Sequence, residues 1–116
     1  MNRVRLTDSY FVAPQIELKD IKEIAEAGFV KIISNRPDEE IPSYLHANVM
    51  KIAADAVGIE FEALPLTQLT MTPENIAKQF EMVARGKGPV LAYCTSGTRC
   101  TIAWALSQAG KMHADE

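Results

Sequence analysis

Cysteine and histidine are scarce in this chain, two of each in 116 residues, and the scarcity removes whole classes of protein. Cys94 and Cys100 are too few for a disulfide-stapled scaffold and, without helpers, for a tetrahedral zinc site, so they read as free thiols. His46 lies within a helical pattern and His113 in a polar tail at 111–116; both are expected at the surface without a catalytic role. No metal site and no organic cofactor is therefore expected. The first eight residues lack the apolar stretch of a signal peptide, and no apolar run is long enough to cross a bilayer, which makes the expected location cytoplasmic and excludes a membrane partner. No run of Lys or Arg occurs, and the formal charge is −3, so nothing marks a nucleic-acid surface. An anionic substrate would have to be held by a local field. The length suits one domain over residues 1–116, with no repeat, linker or low-complexity segment.

What is present alternates between strand and helix patterns, the signature of an α/β domain with a largely parallel sheet. A short strand or hairpin is expected over 3–12. Leu18, Ile21, Ile24 and Ala25 then recur at helical spacing up to Gly28. The apolar, β-branched run 29–34 reads as a central strand. Pro42 and Ser43 should open a second helix with Leu45, Val49, Ile52, Ala53 and Ala56 as its buried stripe, ended by Gly58. A strand at 59–64 follows. Thr72 and Pro73 supply an N-cap hydroxyl and a proline at the first helical position, ahead of Ile76, Phe80, Val83 and Ala84 on a buried face. The last strand is expected at 89–93, and the last helix from Arg99 to about Ala109 is apolar almost all round, hence covered on several sides. Three loops, 35–40, 65–72 and 94–99, then fall at the carboxyl ends of strands, where open α/β sheets bind ligands.

The third loop carries the chemistry. Cys94 ends an apolar strand, Thr95, Ser96, Gly97 and Thr98 follow, and Arg99 stands where a helix begins. Backbone N–H groups can converge there on an oxyanion, the helix N-terminus adds partial positive charge, and Gly97 permits the backbone angles of a tight loop. The same field favours a thiolate at Cys94. A positive charge at a helix N-terminus opposes the dipole, so Arg99 calls for an anionic partner. Asn35 and Arg36, at the end of an earlier strand, are further candidates for substrate contact, Arg36 as a second guanidinium. Cys100 reads as a buried thiol or, more sharply, as a resolving cysteine for an oxidised or persulfidated Cys94.

Only four residues separate Cys94 from Arg99, one fewer than in the protein tyrosine phosphatase loop. This shorter ring resembles that of rhodanese-type sulfurtransferases. Taken with Ala13-Pro14-Gln15, the run 26–29, the block 33–40, Thr72-Pro73 and the stretch 93–99, nearly the full chain resembles the phosphatase-like domain of the beta-lactamase-hydrolase-like proteins. That resemblance implies a three-layer, dual-specificity-phosphatase-like fold, a mostly parallel sheet flanked by helices, with Cys94 as nucleophile and Arg99 as anion ligand. It also implies a link to persulfide dioxygenase partners in sulfide detoxification. The chain departs from the pattern at Cys100, where the family usually has serine after the arginine, and at Thr95, where a basic residue often follows the nucleophile.

The loop at 65–72 contains no carboxylate to protonate a departing alkoxide, which sulfane-sulfur transfer does not need. Tyr93 also replaces the histidine that usually precedes a phosphatase nucleophile. On these grounds the first expectation is a rhodanese-like sulfurtransferase working through a Cys94 persulfide. The alternative is a dual-specificity or tyrosine-phosphatase-like hydrolase with a phosphocysteine intermediate. A third is an anion-binding or redox-sensing domain with little catalysis. Thr95, Ser96, Gly97 and Thr98 are the expected substrate-binding residues of the loop in each case.

Overall fold

A computed structural model describes residues 1–114, with side chains described through Lys111. The sheet is built from β1 (Val4–Arg5), β2 (Tyr10–Ala13), β3 (Lys31–Ser34), β4 (Glu60–Ala63) and β5 (Val90–Tyr93), in the order β1-β2-β5-β3-β4. β1 and β2 form the expected antiparallel hairpin, and every other pairing is parallel. In register, Ile32 stands beside Leu91 and Ile33 beside Ala92, so the central strands present apolar side chains to both faces.

Helices α1 (Leu18–Glu26) and α2 (Ala47–Ala56) cover one face, where Ile21, Ile24, Met50 and Ala54 pack with Ile32, Phe61 and Leu91. Helices α3 (Pro73–Arg85) and α4 (Thr98–Ala114) cover the other, bringing Val83 and Cys100 against Tyr10, Ile33, Val90 and Ala92. This is the three-layer arrangement anticipated, and it exists because a sheet apolar on both faces must be covered on both.

Local signals behave as their chemistry dictates at α3, where the Thr72 hydroxyl accepts the Asn75 N–H at 3.2 Å and Pro73 occupies the first turn. Three expectations are corrected. The second helix does not run unbroken from Pro42: a 3₁₀ turn at Ser43–Leu45 ends at His46, whose extended backbone restarts the chain as α2. The break shifts the helical phase, so Met50 and Ala54 are buried while Ile52 is 70% exposed. On α3, Gln79 rather than Ala84 completes the buried face. α4 continues past Ala109 to Ala114, into the expected tail, and its outer side leaves Ile102 and Leu106 partly exposed rather than covered. His46 is half-buried, with Nε2 3.1 Å from the Ile41 carbonyl oxygen. His113 lies outside the described side chains.

Glu60 and Glu62 on β4 point to solvent at the sheet's open edge, and Lys31 of the neighbouring strand reaches both carboxylates. Among the described residues no helix is long and apolar enough to cross a membrane.

Candidate active site

Parallel strands aim their carboxyl ends the same way, and the loops that leave β2, β3, β4 and β5 meet at that end. Backbone hydrogen bonds tie them in pairs. Gln15 N–H donates to the Thr95 carbonyl, Asn35 N–H to Tyr93, and Leu66 N–H to Asn35. Cys94 leaves β5 at this junction, and the chain turns through Gly97 into α4.

The turn needs glycine. Gly97 has φ of +92°, in the left-handed region where a Cβ is strained, although the space beside it against the Ala13 backbone is adequate. That geometry turns the Gly97 N–H back to the Cys94 Sγ at 3.1 Å. Thr101 closes the turn from above, its hydroxyl donating to the Gly97 carbonyl at 2.9 Å. Thr95, Ser96 and Thr98 form an exposed rim, and the hydroxyls of Ser96 and Thr98 lie 2.8 Å apart.

The Cys94 thiol is pulled down to about 5, first because the Cys100 thiol donates a hydrogen bond to it, and further by the backbone N–H groups of Cys100, Arg99 and Ser96, with burial acting in opposition. Cys100 moves the other way: donating to its neighbour and buried among apolar side chains, it is held as a neutral thiol. The opposite shifts favour a thiolate at Cys94 with Cys100 as its neutral neighbour. Cys94 is only 1% exposed, so the sulfur sits at the floor of the loop rather than at its mouth. The side chain also belongs to the buried apolar cluster of Val12, Ile33, Leu64 and Ala92, and the Gly97 N–H is the backbone donor that reaches its sulfur.

Arg99 reaches across the loops. Its Nη1 donates to the Leu66 carbonyl at 3.3 Å and its Nη2 to Glu40 Oε1 at 2.8 Å. The expected meeting of the three loops is thus realised through one side chain. Glu40 was not singled out by sequence as a partner of Arg99, 59 positions away. The Arg99 guanidinium, with help from Arg36, holds its carboxyl below the usual range. Arg36 joins the cluster through Nε to Glu40 Oε1 at 3.4 Å, Nη2 to the Glu40 carbonyl at 3.3 Å and Nη1 to Gln15 Oε1 at 3.1 Å.

Asn35 does not fit the role of substrate ligand. It is fully buried, and its amide forms a reciprocal pair with Gln79, Nδ2 to Oε1 at 2.6 Å and Nε2 to Oδ1 at 2.8 Å. Its Nδ2 also donates to the Leu64 carbonyl, Gln79 donates to the Tyr10 hydroxyl at 3.1 Å, and Tyr10 donates to the Cys100 carbonyl at 2.8 Å. This buried chain links the end of β3, α3 and β2 to the first turn of α4. Tyr93, in the place of a histidine, is buried and raised to about 12 by desolvation, so it is no acid–base group at neutral pH. Among the described residues no three His, Cys, Asp or Glu side chains cluster as metal ligands.

A cysteine after a central parallel strand, a tight loop, and an arginine in the first turn of the next helix are the features that this end of the sheet shares with phosphatase-like domains. The chain belongs to the phosphatase-like domain family of the beta-lactamase hydrolase-like proteins, which it matches over residues 3–111. It is 32% identical to the beta-lactamase hydrolase-like protein of Agrobacterium fabrum, over 94% of this chain and 25% of that protein. It is 29% identical to the Xylella fastidiosa protein of the same name, over 100% of this chain and 27% of that one. The chain thus spans about a quarter of the length of the curated relatives it matches.

Among solved structures, a candidate phosphatase from Neisseria meningitidis has a TM-score of 0.79 at 28% identity, covering 93% of this chain and 77% of that one. One from Shewanella putrefaciens has a TM-score of 0.78 at 15% identity, covering 96% and 69%, a likeness of fold. The fold is that of the dual-specificity phosphatases, and the chain is a phosphatase-like enzyme domain.

Proposed function

We propose that residues 1–116 act as one thiol-dependent hydrolase domain that transfers a phosphoryl group through Cys94 to water. The observation that carries this reading is the Cys94 Sγ held by the Gly97 N–H at 3.1 Å, with Arg99 in the first turn of α4 fixed by Glu40. In the first step the thiolate forms a bond to phosphorus as the bond to the leaving oxygen breaks, and Arg99 with the loop amides balances the charge on the equatorial oxygens. In the second, water forms the new bond to phosphorus and the thiolate departs.

Leaving-group chemistry narrows the substrate. The loop at 65–72 has no carboxylate, and Glu40 is held ionised between two guanidiniums, so no acid stands ready to protonate an alkoxide. Lost acid catalysis costs roughly 10²–10⁴-fold in rate. The suitable substrates are those whose leaving groups depart as stable anions, aryl phosphates and phosphoric anhydrides. The thiolate needs reducing surroundings, which suits a cytoplasmic site of action.

A second reading, sulfane-sulfur transfer through a Cys94 persulfide, is favoured by the same missing acid and by the four-residue spacing to Arg99. Under that reading a persulfide dioxygenase is a fitting partner. Phosphoryl transfer stands first, in place of the sulfur transfer expected from the loop spacing, the missing acid and Tyr93, because the family and the Neisseria meningitidis neighbour are phosphatase-like. The test incubates wild type and Cys94→Ser with 4-nitrophenyl phosphate and, separately, with thiosulfate plus cyanide. Cys94-dependent nitrophenol release supports phosphoryl transfer. Thiocyanate release with a persulfide mass on Cys94, and no phosphate turnover, would replace it with the second reading.

A further inference from the structure

Arg36 and Glu40 lie beside the thiolate loop, yet neither contacts sulfur. The two guanidiniums of Arg36 and Arg99 share one acceptor, Glu40 Oε1, at 3.4 and 2.8 Å. Arg36 is committed inward: each of its three nitrogens donates to a protein oxygen, on Glu40 or Gln15, and its side chain is only 18% exposed. It therefore acts as an anchor for Glu40 rather than as the second substrate-binding cation that sequence suggested. Arg99 differs. Its two terminal nitrogens are each held once, by Leu66 and by Glu40, and no described hydrogen bond uses its Nε.

We propose that Glu40 is the positioning residue of the anion pocket: braced by Arg36, it fixes the Arg99 guanidinium so that the nitrogen hydrogens not taken by protein face the ligand above Cys94. This deepens the anion-binding role proposed for Arg99 and rests on it. Two fixed acceptors on different loops define the plane of a guanidinium, because its donors form a rigid fork. With Leu66 alone, Arg99 could rotate about a single hydrogen bond. A carboxylate at Glu40 also lowers the net positive charge of the pocket, so its removal would strengthen anion binding if charge alone mattered. Geometry and charge therefore predict opposite signs.

The experiment measures protection of Cys94 from iodoacetamide by inorganic phosphate and by thiosulfate, in wild type, Glu40→Ala, Glu40→Gln and Arg99→Lys. Circular dichroism and urea unfolding establish that each variant is folded. Positioning predicts that Glu40→Ala weakens protection by about 10- to 100-fold, the scale of a misplaced binding group. Glu40→Gln, which keeps an acceptor oxygen, restores most of it, and in Glu40→Ala KM for 4-nitrophenyl phosphate rises more than kcat falls. Protection in Glu40→Ala equal to or tighter than wild type would overturn the proposal and make Glu40 a competitor for Arg99. Glu40→Gln as weak as Glu40→Ala would also overturn it, since the acceptor would then not be what matters. Arg99→Lys separates the two levels. If it binds both anions like wild type, the anion-site reading itself fails, whereas loss of binding there with normal binding in Glu40→Ala sinks only the role of Glu40.

Discussion

Replacing Cys100 by alanine should raise the pH at which Cys94 becomes reactive. Donation from the Cys100 thiol is the largest influence holding Cys94 down at about 5, and burial works against it. A hydrogen bond to a charged acceptor contributes about 1.5–3 kcal/mol, and about 1.36 kcal/mol corresponds to one pH unit, so its loss should move the midpoint up by roughly one to two units. Cys100→Ser keeps a donor of similar reach and should bring the midpoint back to within about half a unit of wild type. The assay is the rate of carbamidomethylation by iodoacetamide from pH 4 to 9, read by mass spectrometry. Trypsin cuts after Arg99, so the two cysteines fall on separate peptides. Because Cys94 is buried, absolute rates will be slow, and the inflection carries the information. A wild-type inflection near the ordinary thiol value of about 8.5, or an alanine variant with an unchanged inflection, would refute the electrostatic account of the loop.

Three other outcomes follow from the same structure. Gly97→Ala should destabilise by about 1–2 kcal/mol, because φ of +92° strains any residue with a Cβ, and should abolish Cys94-dependent turnover; urea unfolding together with the nitrophenol assay checks both. Asn35→Ala should cost about 1–3 kcal/mol by stranding the Gln79 amide in the core, an effect absent if the chemical-denaturation midpoint is unchanged. Stability should also depend on pH through Cys94, whose folded value of about 5 lies below the unfolded one. That contribution is complete above roughly pH 8.5 and disappears as pH falls through the folded value, whereas Cys100, shifted upward, acts with opposite sign only above its ordinary value. The Tm difference between wild type and Cys94→Ser should therefore grow between pH 5 and 8; a flat difference would contradict this.

The strands, the four helices and the Cys94 loop were legible because each rests on local chemistry: β-branched runs, the Thr72-Pro73 helix start, and the Gly97 turn. Cys94 and Arg99 could be found since both lie on one short segment. Glu40 could not, because its contact with Arg99 depends on how two loops far apart in sequence meet above the sheet. Gln79 carried no signal either. An isolated glutamine reads as a surface residue, and only the complementary amide of Asn35 makes its burial tolerable. The same pairing removed Asn35 from the ligands, a distinction between inward and outward polar groups that spacing does not encode. The phase of α2 was lost at His46, where a one-residue interruption rotates every later side chain around the helix.

The two margins of the sheet differ from its middle. β1 offers only two residues, and β4 turns Glu60 and Glu62 outward, so a strand from another molecule would find little to zip onto on one side and repelling carboxylates, if its own were acidic, on the other. Contacts between this unit and any neighbour, whether a second copy or an adjoining domain of a longer polypeptide, should accordingly form through helix surfaces, leaving the sheet free to do nothing but hold its carboxyl-end loops in place.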